Sequence, residues 1–136
     1  MTIRYDNRVA VVTGAGNGLG RSHALLLAAR GAKVVVNDLG GSVEGRGGSH
    51  SAADAVVAEI KAAGGQAVAN YDSVTTPEGG KAIIQTGYDA FGRVDILINN
   101  AGNNIQNSFR KMTVEEFTAV VDVHLCLLYT SDAADE

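Results

Sequence analysis

Apolar runs of strand length alternate along this chain with longer stretches whose apolar residues recur at helical spacing. "VAVVT" (Val9 to Thr13) is short, β-branched and followed by glycines, which reads as a buried parallel strand. The segment from Leu19 to Arg30 is apolar on most faces and stops at Gly31, a residue suited to the position just past a helix end. "AKVVVND" reads as a second strand. In "SAADAVVAEIKAAGG", Ala53, Val56, Val57 and Ile60 fall on one helical stripe, and Gly64 and Gly65 end it. "QAVANYD" is a third, weaker strand. Thr76 offers a helix N-cap with Pro77 at the first helical position, and Ile83, Ile84, Tyr88 and Phe91 form the expected buried stripe before Gly92. "VDILINN" is a fourth strand. Thr113 and Glu116 have the spacing of a capping box, opening a helix whose apolar side carries Phe117, Val120, Val121 and Leu125. The order β-α-β-α-β-α-β-α predicts an α/β fold, a parallel sheet with helices on both faces.

Composition adds mainly exclusions. The 136 residues suffice for one domain with a real core, and 46% hydrophobic with 19% charged residues is ordinary globular composition. With a net charge of -4 and its Lys and Arg scattered, the chain has no basic footprint, so no nucleic-acid partner is expected. No apolar run approaches the roughly 20 residues needed to span a bilayer, so no membrane partner is expected either. The start of the chain lacks the apolar stretch and small-residue cleavage site of a signal peptide. The one cysteine, Cys126, cannot build an internal disulfide framework, and a reducing cytoplasm is the compartment expected. His23 and His50 have no metal-ligand spacing to each other or to Cys126, so no metal is assigned. "LGGSVEGRGGSHS", with five glycines in thirteen residues, reads as a surface loop.

The chemistry sits at the first strand-to-helix turn, "TGAGNGLG". Gly14, Gly18 and Gly20 there allow a tight turn, a close backbone approach to a pyrophosphate and close helix–strand packing. The helix N-terminus offers free N–H groups and a positive dipole end to phosphates. Three such glycines alone are weak evidence. Here they follow a strand, open a helix and precede Asp38 at the end of the next strand, 18 positions after Gly20, which is the context of dinucleotide binding.

Together, "TGAGNGLG" and "NNAG" (Asn99 to Gly102) resemble the two N-terminal signatures of the short-chain dehydrogenases/reductases. "VVVNDLGG", "FGRVDILINNAG" and "VHL" are similar to one branch of that family, the (3R)-hydroxyacyl-CoA dehydrogenase domain of peroxisomal type 2 multifunctional enzymes and its bacterial relatives. The likeness covers about residues 5 to 125. It implies a Rossmann-type doubly wound parallel sheet, NAD as cofactor, a small-molecule alcohol or ketone as substrate with a 3-hydroxyacyl-CoA as candidate, and a homo-oligomeric parent. It also implies roles. Gly14, Gly18, Leu19 and Gly20 would hold the pyrophosphate, with Asn17 in the same turn uncharged where NADP-using relatives often carry Arg or Lys. Asp38 would accept from the adenosine ribose, and Asp72 and Ser73 would lie against the adenine. Asn100, Ala101 and Gly102 would line the ribose and nicotinamide side. His124 takes the place of a helix asparagine that supports the family's proton relay, which makes it a candidate catalytic or positioning residue. As a lone histidine on the inner side of a helix, its plainer reading is a packed core residue.

Two features depart from the family pattern. After "NNAG" the chain reads "NNIQNSFRKMT" where the acyl-CoA branch shows an Ile-Leu-Arg-Asp-like run, so residues Asn103 to Asn107 leave the substrate open. The family's catalytic serine and Tyr-x-x-x-Lys pair are also missing: Tyr129 has Ala133 four positions on, and Tyr88 has Gly92. Residues 126 to 136 back-translate into a string resembling a transposase adapter from DNA sequencing libraries. They are expected to be a non-native tail behind residues 1–125, the front part of an NAD-binding domain truncated after its fourth strand and following helix. Two readings stay beside the dehydrogenase: a non-catalytic dinucleotide-sensing module, and an unstable fragment without activity.

Overall fold

A run such as Val34-Val35-Val36 is apolar on both faces of an extended strand, so only a position between two helical layers buries it. The computed structural model describes residues 1–41 and 50–130, and it builds that arrangement. In chain order the elements are β1 (Val9–Val12), α1 (Gly18–Ala29), β2 (Lys33–Asn37), α2 (Ser51–Ala62), β3 (Gln66–Asn70), α3 (Pro77–Phe91), β4 (Ile96–Ile98) and α4 (Val114–Thr130). The strands form one parallel sheet in the order β3-β2-β1-β4. The doubly wound expectation therefore holds.

Strand alternation divides the core into two layers. Ala10, Val12, Val34 and Val36 face Ala24 and Leu27 of α1 and Ala53, Val56 and Ile60 of α2. Val11 and Val35 face Val74 and Ile83 on the α3 side, with Leu97 and Val123 packed around them. Full burial of each such valine or isoleucine contributes about 1.5–3 kcal/mol. The Thr76 hydroxyl accepts from Gly79 N–H at 3.1 Å ahead of Pro77, so the expected N-cap forms. The capping box forms too: Thr113 Oγ1 accepts from Glu116 N–H at 3.1 Å, and Glu116 Oε2 accepts from Thr113 N–H at 2.9 Å.

The structure corrects the periodicity at two helical faces. In α3, Tyr88 is 45% exposed and Gly87 holds the buried place. The helix lies so close there that a Cβ on Gly87 would stand 2.6 Å from Val94 Cγ2, and the tyrosine ring is turned outward. In α4, Phe117 and Leu125 remain 55% and 65% exposed, and Val120 and Val121 are only half-buried. Of α4, it is Val123 that packs on the core.

The last two strands are also shorter than their apolar runs. β4 begins after Asp95, whose carboxylate takes the Val9 N–H at 2.8 Å while its own N–H donates to the Val9 carbonyl at 2.9 Å. Asn70 turns its side chain onto the Asp72 N–H at 2.9 Å, which ends β3 before Tyr71. The backbone of residues 126–130 continues α4. Residues 131–136 of the expected tail and 42–49 of the glycine-rich loop lie outside the described residues.

Candidate functional site

The turn after β1 is built by close backbone approach. Gly14 has φ +61°, and a Cβ on it would stand 2.8 Å from Ala101 Cα. A Cβ on Gly20 would come within 2.2 Å of the Gly14 carbonyl and 2.4 Å of Asn100 Nδ2. Glycine is therefore required at both places. Asn100 completes the joint, its Nδ2 donating to the carbonyls of Thr13 and Gly14 at 3.1 and 3.2 Å. Asn17 is the N-cap of α1, yet its side chain makes no capping bond, and the first turn holds no acidic residue. The leading N–H groups and the positive dipole end of α1 are thus left without an anionic partner from their own helix.

Three buried polar residues that periodicity does not single out hold the strand ends. Thr13 is fully buried, and its Oγ1 accepts from the N–H groups of Asn100 and Ala101, each at 3.0 Å. Asn37 and Asn70 face each other in register. Asn37 Nδ2 donates to Asn70 Oδ1 at 2.8 Å and to the Asp72 carbonyl at 3.0 Å. Asn70 Nδ2 donates to Asp72 Oδ2 at 2.7 Å and to Thr86 Oγ1 at 2.9 Å. The signal that could have found them is an asparagine closing each of two adjacent buried strands.

Those joints fix the acidic groups. Asp38 Oδ2 accepts from Gly16 N–H at 2.9 Å and its Oδ1 from Gly40 N–H at 2.7 Å, so the carboxylate latches the glycine turn and keeps lone pairs to spare. Asp72 is held by Asn70. The Ser73 hydroxyl accepts from Thr75 N–H at 3.2 Å and lies 2.8 Å from Thr75 Oγ1, committing it to its own turn.

Together these ends border a groove of about 750 Å³ across the carboxyl ends of all four strands. Gly14, Asn17, Asp38, Asp72, Ser73 and Asn100 line it, and Ala101, Gly102, Asn103 and Ile105 continue the wall toward Ala119 and Val123 of α4. The volume lies within the roughly 300–1,000 Å³ usual for small-molecule sites, at the crevice beyond the strand ends where open α/β sheets bind ligands. Gly18, Leu19 and Gly20 of the same turn do not line the groove: Gly20 is buried, Gly18 is exposed and the Leu19 side chain is 73% exposed. Among the described residues no cluster could hold a metal ion, and no helix is long and apolar enough to cross a membrane. His124 is not a core residue. It is exposed, and its Nε2 lies on the backbone of Asn103, because the helix presents it to the segment leaving β4.

The sequence profile described as short chain dehydrogenase matches residues 8–130. This chain belongs to the short-chain dehydrogenase family. It is 61% identical over 123 residues to the peroxisomal hydratase-dehydrogenase-epimerase of Saccharomyces cerevisiae, covering 90% of this chain and 13% of that protein. A short chain dehydrogenase from Mycobacterium avium superposes with a TM-score of 0.83 at 47% identity, covering 93% of this chain and 45% of the other. The 7α-hydroxysteroid dehydrogenase solved with NADH and 7-oxo glycochenodeoxycholic acid gives a TM-score of 0.83 at 33% identity, over 94% and 46% of the two chains. The chain thus spans less than half the length of each of these short-chain dehydrogenase relatives.

Proposed function

We propose that this chain is the NAD-binding part of an oxidoreductase that interconverts a secondary alcohol and a ketone. The observation that carries the reading is the Asp38 carboxylate, held by two backbone N–H groups beside an uncapped helix N-terminus on one groove. The residues fit a dinucleotide. Gly14, Asn17, Gly18, Leu19 and Gly20 would hold the pyrophosphate, which takes the place of the missing anionic cap. Asp38 would accept from the adenosine ribose, Asp72 and Ser73 would border the adenine, and Asn100, Ala101 and Gly102 the nicotinamide side. A bound nicotinamide supplies the hydride.

The same carboxylate favours NAD over NADP. A 2′-phosphate 4 Å from it would be repelled by about 4 kcal/mol per unit charge pair at an effective dielectric near 20, before salt screening. Asn17 offers no compensating charge. The structural relative bound to NADH and a 7-oxo compound supports a nicotinamide cofactor with a ketone partner. A 3-hydroxyacyl-CoA is the substrate candidate from the acyl-CoA branch, with the Asn103–Asn107 segment as the point of departure. The compartment we assign is cytoplasmic, on the single cysteine; the yeast relative is named as peroxisomal. The full parent is a homo-oligomer in this reading, and residues 126–136 are a non-native tail.

No Tyr-x-x-x-Lys pair occurs in the sequence, so the proton donor must come from outside it. The test is NADH consumption with a panel of ketones. The chain alone should show none, whereas the chain carrying the natural continuation of Leu125 should oxidise NADH. A continuation without turnover would favour the dinucleotide-sensing module instead.

A further inference from the structure

Tyr71 follows the end of β3, one position before Asp72, and reaches the first turn of α2. Its hydroxyl donates to the Asp54 carboxylate, and its ring stacks on His50 with the centroids 3.8 Å apart and the planes 12° from parallel. The Asp54 N–H donates to the His50 carbonyl at 3.1 Å, so both partners of Tyr71 belong to one closed helical turn. The Asp54 carboxylate holds the Tyr71 phenol above its ordinary pKa of 10.0, through the hydrogen bond first, then with burial and the carboxylate charge adding to it. Between His50 and Asp54 in the same turn, Ala52 meets the glycine turn after β1. A Cβ on Gly16 would stand 2.7 Å from Ala52 Cβ and 2.6 Å from Asp38 Oδ2. The Ala52 methyl and the Asp38 carboxylate thus take up the space that a Gly16 side chain would need, and Asp38 Oδ2 accepts there from Gly16 N–H at 2.9 Å. Ala53, Val56 and Ile60 fasten α2 to the core, and Tyr71 fastens its first turn through the exposed residues His50 and Asp54.

We propose that Tyr71 is a positioning residue for the adenosine ribose of the cofactor: by clamping His50 and Asp54 it sets Ala52 against the glycine turn, and Ala52 keeps the Asp38 carboxylate on Gly16 N–H. The ribose part rests on the dinucleotide reading, whereas the clamp and the latch do not. Tyr71, His50 and Asp54 do not line the groove, so the clamp acts on a ligand through Asp38.

Tyr71→Phe keeps the ring and removes the hydroxyl. In the 136-residue chain it should move the Gly16 amide resonance and weaken ADP-ribose binding about three- to tenfold, the loss carried by one charge-assisted hydrogen bond. Tyr88→Phe, on the ring turned outward from α3, should change neither. In an Asp38→Ala background Tyr71→Phe should cost less than about twofold, because the carboxylate it positions is gone. The Tyr71 phenol, followed by its ring-carbon resonances, should titrate closer to its ordinary value in Asp54→Ala. A Gly16 amide that stays in place in Tyr71→Phe, or moves as far in Tyr88→Phe, would overturn the proposal. Losses from Tyr71→Phe and Asp38→Ala that simply add, or a phenol titration indifferent to Asp54→Ala, would overturn it as well. If the unaltered chain bound no ADP-ribose, the dinucleotide reading would fail, and the Gly16 amide and the phenol titration would still decide the clamp.

Discussion

Replacing Thr13 by valine removes one oxygen atom from the centre of the site and little else. The side chain is fully buried and valine fills the same shape, so no cavity opens. Two N–H groups lose the Oγ1 acceptor. Asn100 N–H also lies 3.0 Å from the Ile98 carbonyl and keeps that bond. Ala101 N–H has Oγ1 at 3.0 Å as its acceptor and would be stranded in a half-buried position. A stranded donor costs about 1–3 kcal/mol, so Thr13→Val should lose that much stability. Thr13→Ser keeps the oxygen and drops a methyl group, for about 1 kcal/mol. Urea unfolding measures both values, and amide hydrogen exchange separates their causes. Ala101 should exchange faster in Thr13→Val and stay protected in Thr13→Ser. A Thr13→Val protein as stable as the unaltered chain, with Ala101 still protected, would refute the assignment of Oγ1 as the pin of the β1–β4 joint.

Three further outcomes are expected. Asp38→Ser should raise NADPH affinity relative to NADH, and an unchanged ratio in parallel fluorescence titrations would count against the ribose assignment. Asp95 is held below its ordinary pKa of 3.8, first by the hydrogen bond from Arg93, then by those from Val9 N–H and Arg8, with burial opposing. A depressed folded-state value contributes stability that is complete above the unfolded value and lost as pH falls through the folded one. Acid unfolding below about pH 4 should therefore lose its Asp95 component in Asp95→Asn, and identical acid profiles would contradict this. Finally, β4 is a sheet edge, and Phe109, Phe117 and Leu125 are large exposed apolar groups, so the chain should associate with rising concentration. Sedimentation showing a monomer across a hundredfold concentration range would rule that out.

Much of this architecture was legible because its signals are local. The Thr76–Pro77 cap and the Thr113–Glu116 box each need only residues a few positions apart, and the α2 stripe lies on a single helix. What escaped is relational. Gly87 adds nothing to a hydrophobic pattern, yet it decides which side of α3 meets the sheet and turns Tyr88 outward. Thr13, Asn37 and Asn70 look like strand ends in one dimension; their roles arise only when parallel pairing sets Asn37 against Asn70 and Thr13 against the turn after β4. The glycine turn and Asp38 were visible as a motif, but the latch between them, Gly16 N–H to the carboxylate, depends on their meeting in space. A lone histidine on the inner side of a helix reads as a packed core residue; in the structure His124 is exposed and meets the Asn103 backbone, a contact with a segment 21 positions away that no local pattern announces.

The central claim is that the groove at the strand ends binds the adenosine and pyrophosphate of NAD through residues of this chain alone. Calorimetric titration with NAD and with ADP-ribose tests it most directly. Both ligands should bind saturably with similar, weak affinity, since the phosphate turn, Asp38 and Asp72 are all present and the nicotinamide end is open. Asp38→Ala should weaken both alike. No saturable binding of either ligand, or binding indifferent to Asp38→Ala, would contradict the account.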